Sequence, residues 1–426
     1  MTKPDQFLPS ALFPPLRSVL CPLGAILKDS PPVSPIELSA DEARRVALWA
    51  QGFLGAPSTK RRRSGIEGVL ADLGAVQLDT ISVLARSHEL VPQARLGALG
   101  RDRIEGAYWG RGSSFEYWSH AACILPIDAW PLYAGRRSRI RAAAARGHRV
   151  PDPATTAVVR RRIEVEGPLT ASELGGSKGA GQWWDWTPTK VAAEHLFDIG
   201  DVVCVERRGW KRVYDLAERA IPGHLLDQEP TPLECDAALV AHAGRALGVA
   251  TRPDLVDYNR MRVDLTASAI ASGATGLLPA RVAGWDEPAW IHPDTLAALS
   301  EGRVSGRHRT TPLSPFDSLI WDRTRTERVF GLAHRLEAYT PARKRIHGYF
   351  AMPVLAGGRL IGRIDPARRG RTLVAKQVSL RTSSSRGPSQ LADALGEMAS
   401  WVGCDSVVIE RTDPPGLAAA LTAALP

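Results

Sequence analysis

The stretch "AVQLDTISVLARSHEL" at 75–90 sets two polar side chains, Gln77 and Asp79, into an apolar run of Val76, Leu78, Ile81, Val83 and Leu84. In an extended backbone, residues 77 and 79 point to one side and Val76 and Leu78 to the other, with the polar pair about 6–7 Å apart at Cα. A carboxylate that takes a proton from water, beside an amide that orients the same water, is a minimal hydrolytic site needing no metal. Such a pair suits a substrate with a good leaving group. A purine alkylated at N7 is one: its positive ring departs with little acid assistance, and an anionic Asp79 stabilises the oxocarbenium-like sugar left behind. The same two residues also fit the polar edge of an amphipathic strand, or an aspartate capping the helix that follows.

The elements that must hold this pair are readable in outline. Residues 1–36 are proline-rich without helical periodicity and read as a disordered or extended leader. At "SADEARRVALWAQGF", Ser39 with Glu42 three residues on forms a capping-box signature ahead of an apolar stripe, so a helix starts there. A basic cluster, Lys60, Arg61, Arg62 and Arg63, precedes the helical "GIEGVLADLG" and then the Gln77 stretch. "SSFEYWSHAACILP" alternates as strand, and "AWPLYAGRRSRIRAAAARGHR" reads as a basic helix carrying Arg136, Arg137, Arg139, Arg141 and Arg146. This closes a first unit, 37–150.

In a second unit, 151–228, "TTAVVRRRIEVEGPLTASEL" reads as helix, turn and capped helix, followed by a helix from Pro188 to about Gly200. Two short strands, "DVVCVE" and "KRVYDL", then flank an "RRGW" turn. Helix, turn, helix, hairpin is the order of a winged helix, with Arg207, Arg208, Lys211 and Arg212 at a wing tip suited to phosphates. The intervening "GGSKGAGQ" fits no phosphate-loop register and reads as a linker; Trp183, Trp184 and Trp186 after it suit either core anchoring or stacking on bases. A third unit, 229–305, repeats the pattern loosely, with "GLLPARVAGW" and "PAWIHP" as a degenerate wing. From 306 to 426 the alternation of "RVFGLAHRLEAYT", "HGYFAMPVLAGGRLIGRIDPA" and "RTLVAKQVSLR" reads as a β-rich domain, closed by a helix at "SQLADALGEMASWVG".

Composition narrows the function classes. A chain of 426 residues, 23% charged and 44% apolar, has room for two to four domains, and no apolar run reaches the ~18 residues of a membrane span. Cys21, Cys123, Cys204, Cys235 and Cys404 form no C-x-x-C pair, and the ten histidines show no metal-ligand spacing, so neither a disulfide framework nor a metal or other cofactor is expected. The formal net charge of +9 favours a polyanion, nucleic acid before membrane. Only eight of the 54 basic residues are lysine, a bias that a GC-rich genome also produces.

Taken in order, "AVQLDTISVLARSHEL", "SSFEYWSHAACILP", "YDLAERAIP", "LSPFDSLIWDRTRTERVFG", "KRIHGYF" and "RLIGRIDPA" resemble the AlkZ/YcaQ family of winged-helix DNA glycosylases, from about residue 37 to the C-terminus. The resemblance implies an α+β chain of three tandem winged-helix units followed by a C-terminal β-barrel-like domain, arranged around a DNA channel. It implies that Gln77 and Asp79 are the catalytic Q-x-D pair of the YcaQ-like branch, acting on N7-alkylpurines and unhooking interstrand crosslinks in DNA repair. The expected enzyme is a monofunctional hydrolase, since no lysine in the motif is placed to form a Schiff base. Its expected partner is double-stranded DNA carrying alkylated or crosslinked purines, bound by a cytoplasmic, nucleoid-associated monomer. His88 suits either a DNA contact or a structural hydrogen bond, and Asp317 and Asp322 are expected to shape turns and pair with Arg323 or Arg325. The rival expectation is a non-enzymatic winged-helix DNA-binding regulator.

Overall fold

The computed structural model describes residues 34–54, 59–110, 112–146, 151–176, 186–306, 308–381 and 384–425, with the side chains of 59–64 outside the described set. The leader, Trp183 and Trp184 therefore lie outside it, as do the side chains of Lys60, Arg61, Arg62 and Arg63.

Strand β1 (Ile36–Leu38) leads into the helix Ala40–Ala50, where Ser39 and Glu42 make the reciprocal capping bonds their spacing predicts. Next come the helix Thr59–Leu73, β2 (Val76–Gln77), the helices Ser87–Leu96 and Arg101–Trp109, and a hairpin of β3 (Ser114–Trp118) and β4 (Ala122–Pro126). The basic helix Ala134–Ala145 follows. The second group comprises the helix Pro153–Glu166, β5 (Leu169–Thr170), the helix Pro188–Ile199, β6 (Val202–Arg208) and β7 (Lys211–Leu216). The expected second helix at "TASEL" is only a turn, in which Thr170 and Glu173 cap each other: Thr170 N–H donates to Glu173 Oε2 at 2.7 Å. A glycine pair directly after it removes the helix-forming residues needed to extend that turn.

The third group holds the helix Pro232–Leu247, β8 (Val249–Thr251), two helices, β9 (Leu278–Val282), β10 (Ala289–Ile291) and the helix Pro293–Ser300. The C-terminal part builds β11 (Thr311–Pro312), β12 (Met352–Ala356), β13 (Arg359–Arg369), β14 (Thr372–Leu380), β15 (Ser406–Ile409) and β16 (Thr412–Asp413), with the helix Gly387–Trp401 across them.

Three sheets result. One runs β2-β4-β3-β6-β7-β5 and fuses the first two groups, with Glu116 opposite Cys204 at the seam. A second runs β1-β9-β10-β8, with β1 parallel to β9. Residues 36–50 thus belong in space with the third group, not with the unit expected over 37–150: Leu38, Ala43 and Val46 share a core with Val249, Ala280 and Ile291. The third sheet runs β11-β12-β13-β14-β15, with β16 also on β14. Among the described residues this path is open, so the barrel-like expectation is corrected to an open sheet packed on one side by the helix Gly387–Trp401. Nor is "RVFGLAHRLEAYT" a strand. Its first residues finish the helix Arg323–Phe330, and beyond it the buried Glu337 carboxylate takes the N–H groups of Ile346, His347 and Gly348 in place of a ladder.

The Gln77 stretch crosses between two of these cores. Val76 and Leu78 are buried with Ile66, Leu70 and Ile104, whereas Leu84 and Ala85, with Ile81 and Val83 beside them, pack with Phe350, Leu391 and Leu395 of the C-terminal part. That crossing explains the apolar run: it serves two interiors, and Asp79 lies at the step between them.

Candidate active site and nucleic-acid interface

The step is built by backbone constraints on both sides. Gly74 ends the preceding helix at φ +64°, a left-handed conformation that a side chain disfavours, and a Cβ there would collide with the His242 imidazole. The chain can then enter β2, where Gln77 pairs with Cys123 of β4. The ladder continues for one bond, Leu78 N–H to Ala122 O at 2.8 Å, and there strand geometry ends. The Ser87 hydroxyl donates to the Gln77 carbonyl, tying the next helix to the strand.

Gln77 is 8% exposed and borders a cleft of about 180 Å³ shared with His120, Arg260, Trp321, Arg323 and His334. Asp79 is half-buried and borders a larger cleft of about 700 Å³, walled by Trp118, Trp186, Lys190, Arg207, Trp210 and Lys211. The motif is the partition between the two. Asp79 Oδ1 accepts from Ile81 N–H at 2.8 Å, and among the described residues no cation forms an ion pair with its carboxylate. Burial pushes the Asp79 carboxyl up from its ordinary value; the Ile81 N–H and the Arg86 charge oppose this without cancelling it.

The loop beyond Asp79 is held by the β6–β7 hairpin. Its two turn residues, Gly209 and Trp210, both have positive φ, +53° and +68°, as a type I′ turn requires. Trp210 in that conformation is strained, and its ring holds three neighbours: Arg86 Cζ sits 3.7 Å from its centroid, Arg207 Cζ 4.4 Å, and the His88 ring stacks at 5.5 Å. Arg86 Nη1 also reaches the Asp79 and Thr80 carbonyls at 3.4 and 3.3 Å. Trp210 and Arg86 were not singled out from sequence. The available signal was a two-residue Gly-Trp turn, in which a tryptophan takes a conformation it does not favour.

The basic residues divide into those buried against the protein and those exposed. His88 is fully buried with Nε2 on Glu105 Oε1 at 2.6 Å. Arg137 is buried over the Trp130 ring at 3.8 Å, and burial pulls its guanidinium down to about 10. Arg136 donates to the Trp118 carbonyl at 2.6 Å, and Arg139 pairs with Asp236 at 3.0 Å, docking that helix onto its neighbours. Arg207 and Arg212 both hold Glu116, each at 2.6 Å, and Arg212 also holds Glu194 at 2.6 Å. Burial alone would push the Glu116 carboxyl up, but Arg212 and Arg207 outweigh it and keep the group below its ordinary value. Arg208 and Lys211 are exposed at the hairpin tip, Arg208 in surface ion pairs with Glu206 at 2.7 Å and Glu173 at 3.2 Å and Lys211 on the Ser172 hydroxyl at 3.1 Å. Trp186 is 49% exposed on the larger cleft, with Lys190 Nζ 4.4 Å over its ring.

Asp317 and Asp322 shape turns, but with partners other than those expected. Asp317 forms a buried two-point pair with Arg95, and Asp322 caps the helix Arg323–Phe330 by accepting from Arg325 N–H at 3.1 Å. Arg325 instead pairs with Asp254 at 2.9 Å. No group of histidine, cysteine and acidic side chains among the described residues is arranged to hold a metal ion, and no described helix is long and apolar enough to cross a membrane.

The α+β scaffold thus carries a half-buried carboxylate on a cleft lined by Trp118, Trp186 and Trp210 and bordered by Lys190, Arg207, Lys211 and Arg212. The scaffold is similar to the Streptomyces sahachiroi DNA glycosylase AlkZ, with a TM-score of 0.61 over 88% of this chain and 100% of that chain, at 17% identity. Residues 70–401 match the family described as DNA glycosylase AlkZ-like, and the chain belongs to that family of DNA glycosylases.

Proposed function

We propose that this chain is a monofunctional DNA glycosylase of the YcaQ-like, Q-x-D branch. It hydrolyses the N-glycosidic bond of N7-alkylated purines, including those in interstrand crosslinks, and leaves an abasic site. Asp79 removes a proton from water and stabilises the cationic sugar in the larger cleft, and the Gln77 amide, which borders the smaller cleft in the free protein, turns across the partition to orient that water when the duplex binds. The helix and hairpin groups act as three winged-helix units gripping the duplex, with Arg208 and Lys211 toward phosphates.

The observation that carries this reading is the placement of Asp79: a carboxylate with no ion-paired cation among the described residues, raised by burial, at the wall of a cleft of about 700 Å³. A general base is more effective when its pKa is raised toward the working pH. A base linked to the opposite strand cannot swing freely into a closed pocket, so presenting the carboxylate from a cleft suits crosslinked substrates. Lys190 and Lys211 border the same cleft. Lys190 lies over Trp186 and Lys211 on the Ser172 hydroxyl, so the monofunctional reading gives neither a covalent role.

The test is base release from N7-methylguanine duplex by wild type, Asp79→Asn and Gln77→Ala, with duplex binding measured alongside. Release by wild type that Asp79→Asn abolishes without loss of binding supports the assignment. Wild type that binds duplex and releases nothing makes the chain a non-catalytic DNA binder.

A further inference from the structure

We infer that the smaller cleft, on the Gln77 side of the motif, is a seat for a backbone phosphate of the lesion-bearing strand; this rests on the reading above for where the lesion lies. At about 180 Å³ the cleft is below the ~300 Å³ at which pockets begin to enclose drug-sized ligands, so it takes a small group. Its lining includes Arg260 and Arg323 and no carboxylate. Arg260 is balanced from behind by Asp257 at 2.6 Å. Arg323 is exposed, and among the described residues no carboxylate pairs with it.

The second observation is independent of charge. His334 borders this cleft at 5% exposure, and neither ring nitrogen has a hydrogen-bond partner. A buried imidazole so placed forfeits the bonds it would make to water, and native interiors rarely leave such a group unmatched. Behind it the Arg363 Nε is also buried without a partner. Among the described residues the carboxylate that acts on His334, Glu337, is already committed to the N–H groups of Ile346, His347 and Gly348. Burial, together with Arg363 and Arg323, drives the His334 imidazole down to about 3. The site thus presents one N–H of a neutral imidazole and the Arg323 guanidinium with no matching acceptor among the described residues. An oxygen-rich, acceptor-only anion supplies what is missing, and on a DNA glycosylase the phosphodiester is the anion that arrives with the substrate.

The opposite wall is rigid. His120 stacks face to face on Trp321, with centroids 4.0 Å apart and planes 7° from parallel, and Arg260 Nη2 meets His120 Nε2 at 3.2 Å. A phosphate drawn in here would hold the strand on one side of the partition while the sugar lies against Asp79 on the other.

The experiment uses the full chain and duplexes containing a tetrahydrofuran abasic analogue. In each duplex one phosphate flanking the analogue is replaced by a neutral methylphosphonate, and affinity is read by fluorescence anisotropy. At one position wild type should lose on the order of tenfold in affinity, the worth of a charge-assisted contact. Arg323→Ala should bind the unmodified duplex about tenfold more weakly, lose its response to that replacement, and show a salt slope smaller by about 1. His334→Asn should show a partial version of the same loss of response. If no flanking replacement matters to wild type, or if both variants keep wild type's response, the seat is overturned. Base release from N7-methylguanine duplex, run in parallel, separates the two readings. Release without phosphate discrimination removes the seat alone, whereas discrimination without release removes the glycosylase assignment and leaves the seat standing.

Discussion

Trp210 and Arg86 are stacked at 3.7 Å across the boundary between the β6–β7 hairpin and the loop that carries Asp79. The hairpin holds the loop through this contact, and the positive φ of Trp210 shows that the turn accepts strain to make it. Trp210→Ala removes the platform under both Arg86 and His88. Single-turnover base release should fall about tenfold, the scale of a desolvated cation–π contact of ~1–2 kcal/mol, while duplex affinity changes by less than threefold. Equal losses in both would mean that the hairpin grips DNA rather than positioning the loop.

Asp79 should show opposite effects on activity and stability. Its folded-state pKa is raised above the ordinary 3.8 by burial. The stability this group contributes is therefore present below pH 3.8 and lost as pH rises through the raised value. Asp79→Asn should raise Tm at pH 8, with a gain that shrinks as pH falls toward the ordinary carboxylate range, while base release collapses. The wild-type rate should climb with pH along a limb lying above 3.8, because the base works ionised. A variant that melts below wild type at pH 8 would contradict the burial account.

Glu116 should behave in the opposite sense. Arg212 and Arg207 hold its carboxyl below the ordinary 4.5, so its contribution is present above pH 4.5 and lost as pH falls through the lowered value. Glu116→Ala leaves two guanidinium groups without their shared partner at the seam between β3 and β6. Denaturant unfolding should show a loss of about 3–5 kcal/mol, the usual result of removing one side of a buried ion pair.

The arginines and lysine of the hairpin separate by exposure. Arg208→Ala with Lys211→Ala should leave Tm within about 1 °C of wild type but weaken duplex binding and reduce the salt slope by about 2, one per phosphate contact. Arg212→Ala should lower Tm instead, because that side chain joins Glu116 to Glu194. A Tm loss in the double variant and none in Arg212→Ala would reverse this division.

What sequence revealed and what it hid follow the range of the interactions involved. The capping box of Ser39 and Glu42, the hairpin around "RRGW" and the Gly357–Gly358 turn depend on a few adjacent residues, and all are present. The pairing of β1 with β9 depends on residues distant in the chain, and a three-residue strand carries too little pattern to announce it. Alternation also foretold sheet in the C-terminal part without telling an open path from a closed one, since closure is a matter of register and tilt. Charge counts carried no geometry: Arg136, Arg137, Arg139, Arg207 and Arg212 look alike in sequence, and nothing local announced that each is engaged by a carbonyl, a ring or a carboxylate of the protein. His334 and Arg323, from the C-terminal part, meet Gln77 only in space.

The parallel pairing of Ile36, Glu37 and Leu38 with Ala280, Arg281 and Val282 sets an order of events during synthesis. The β6–β7 hairpin finds its partner within a few residues and closes as it leaves the ribosome, but β1 emerges first and must wait for most of the chain. Until then the apolar face of the helix Ala40–Ala50 has no core to enter. The nascent polypeptide is therefore most prone to aggregate in the middle of translation, and slowing elongation before β9 would lengthen that exposure.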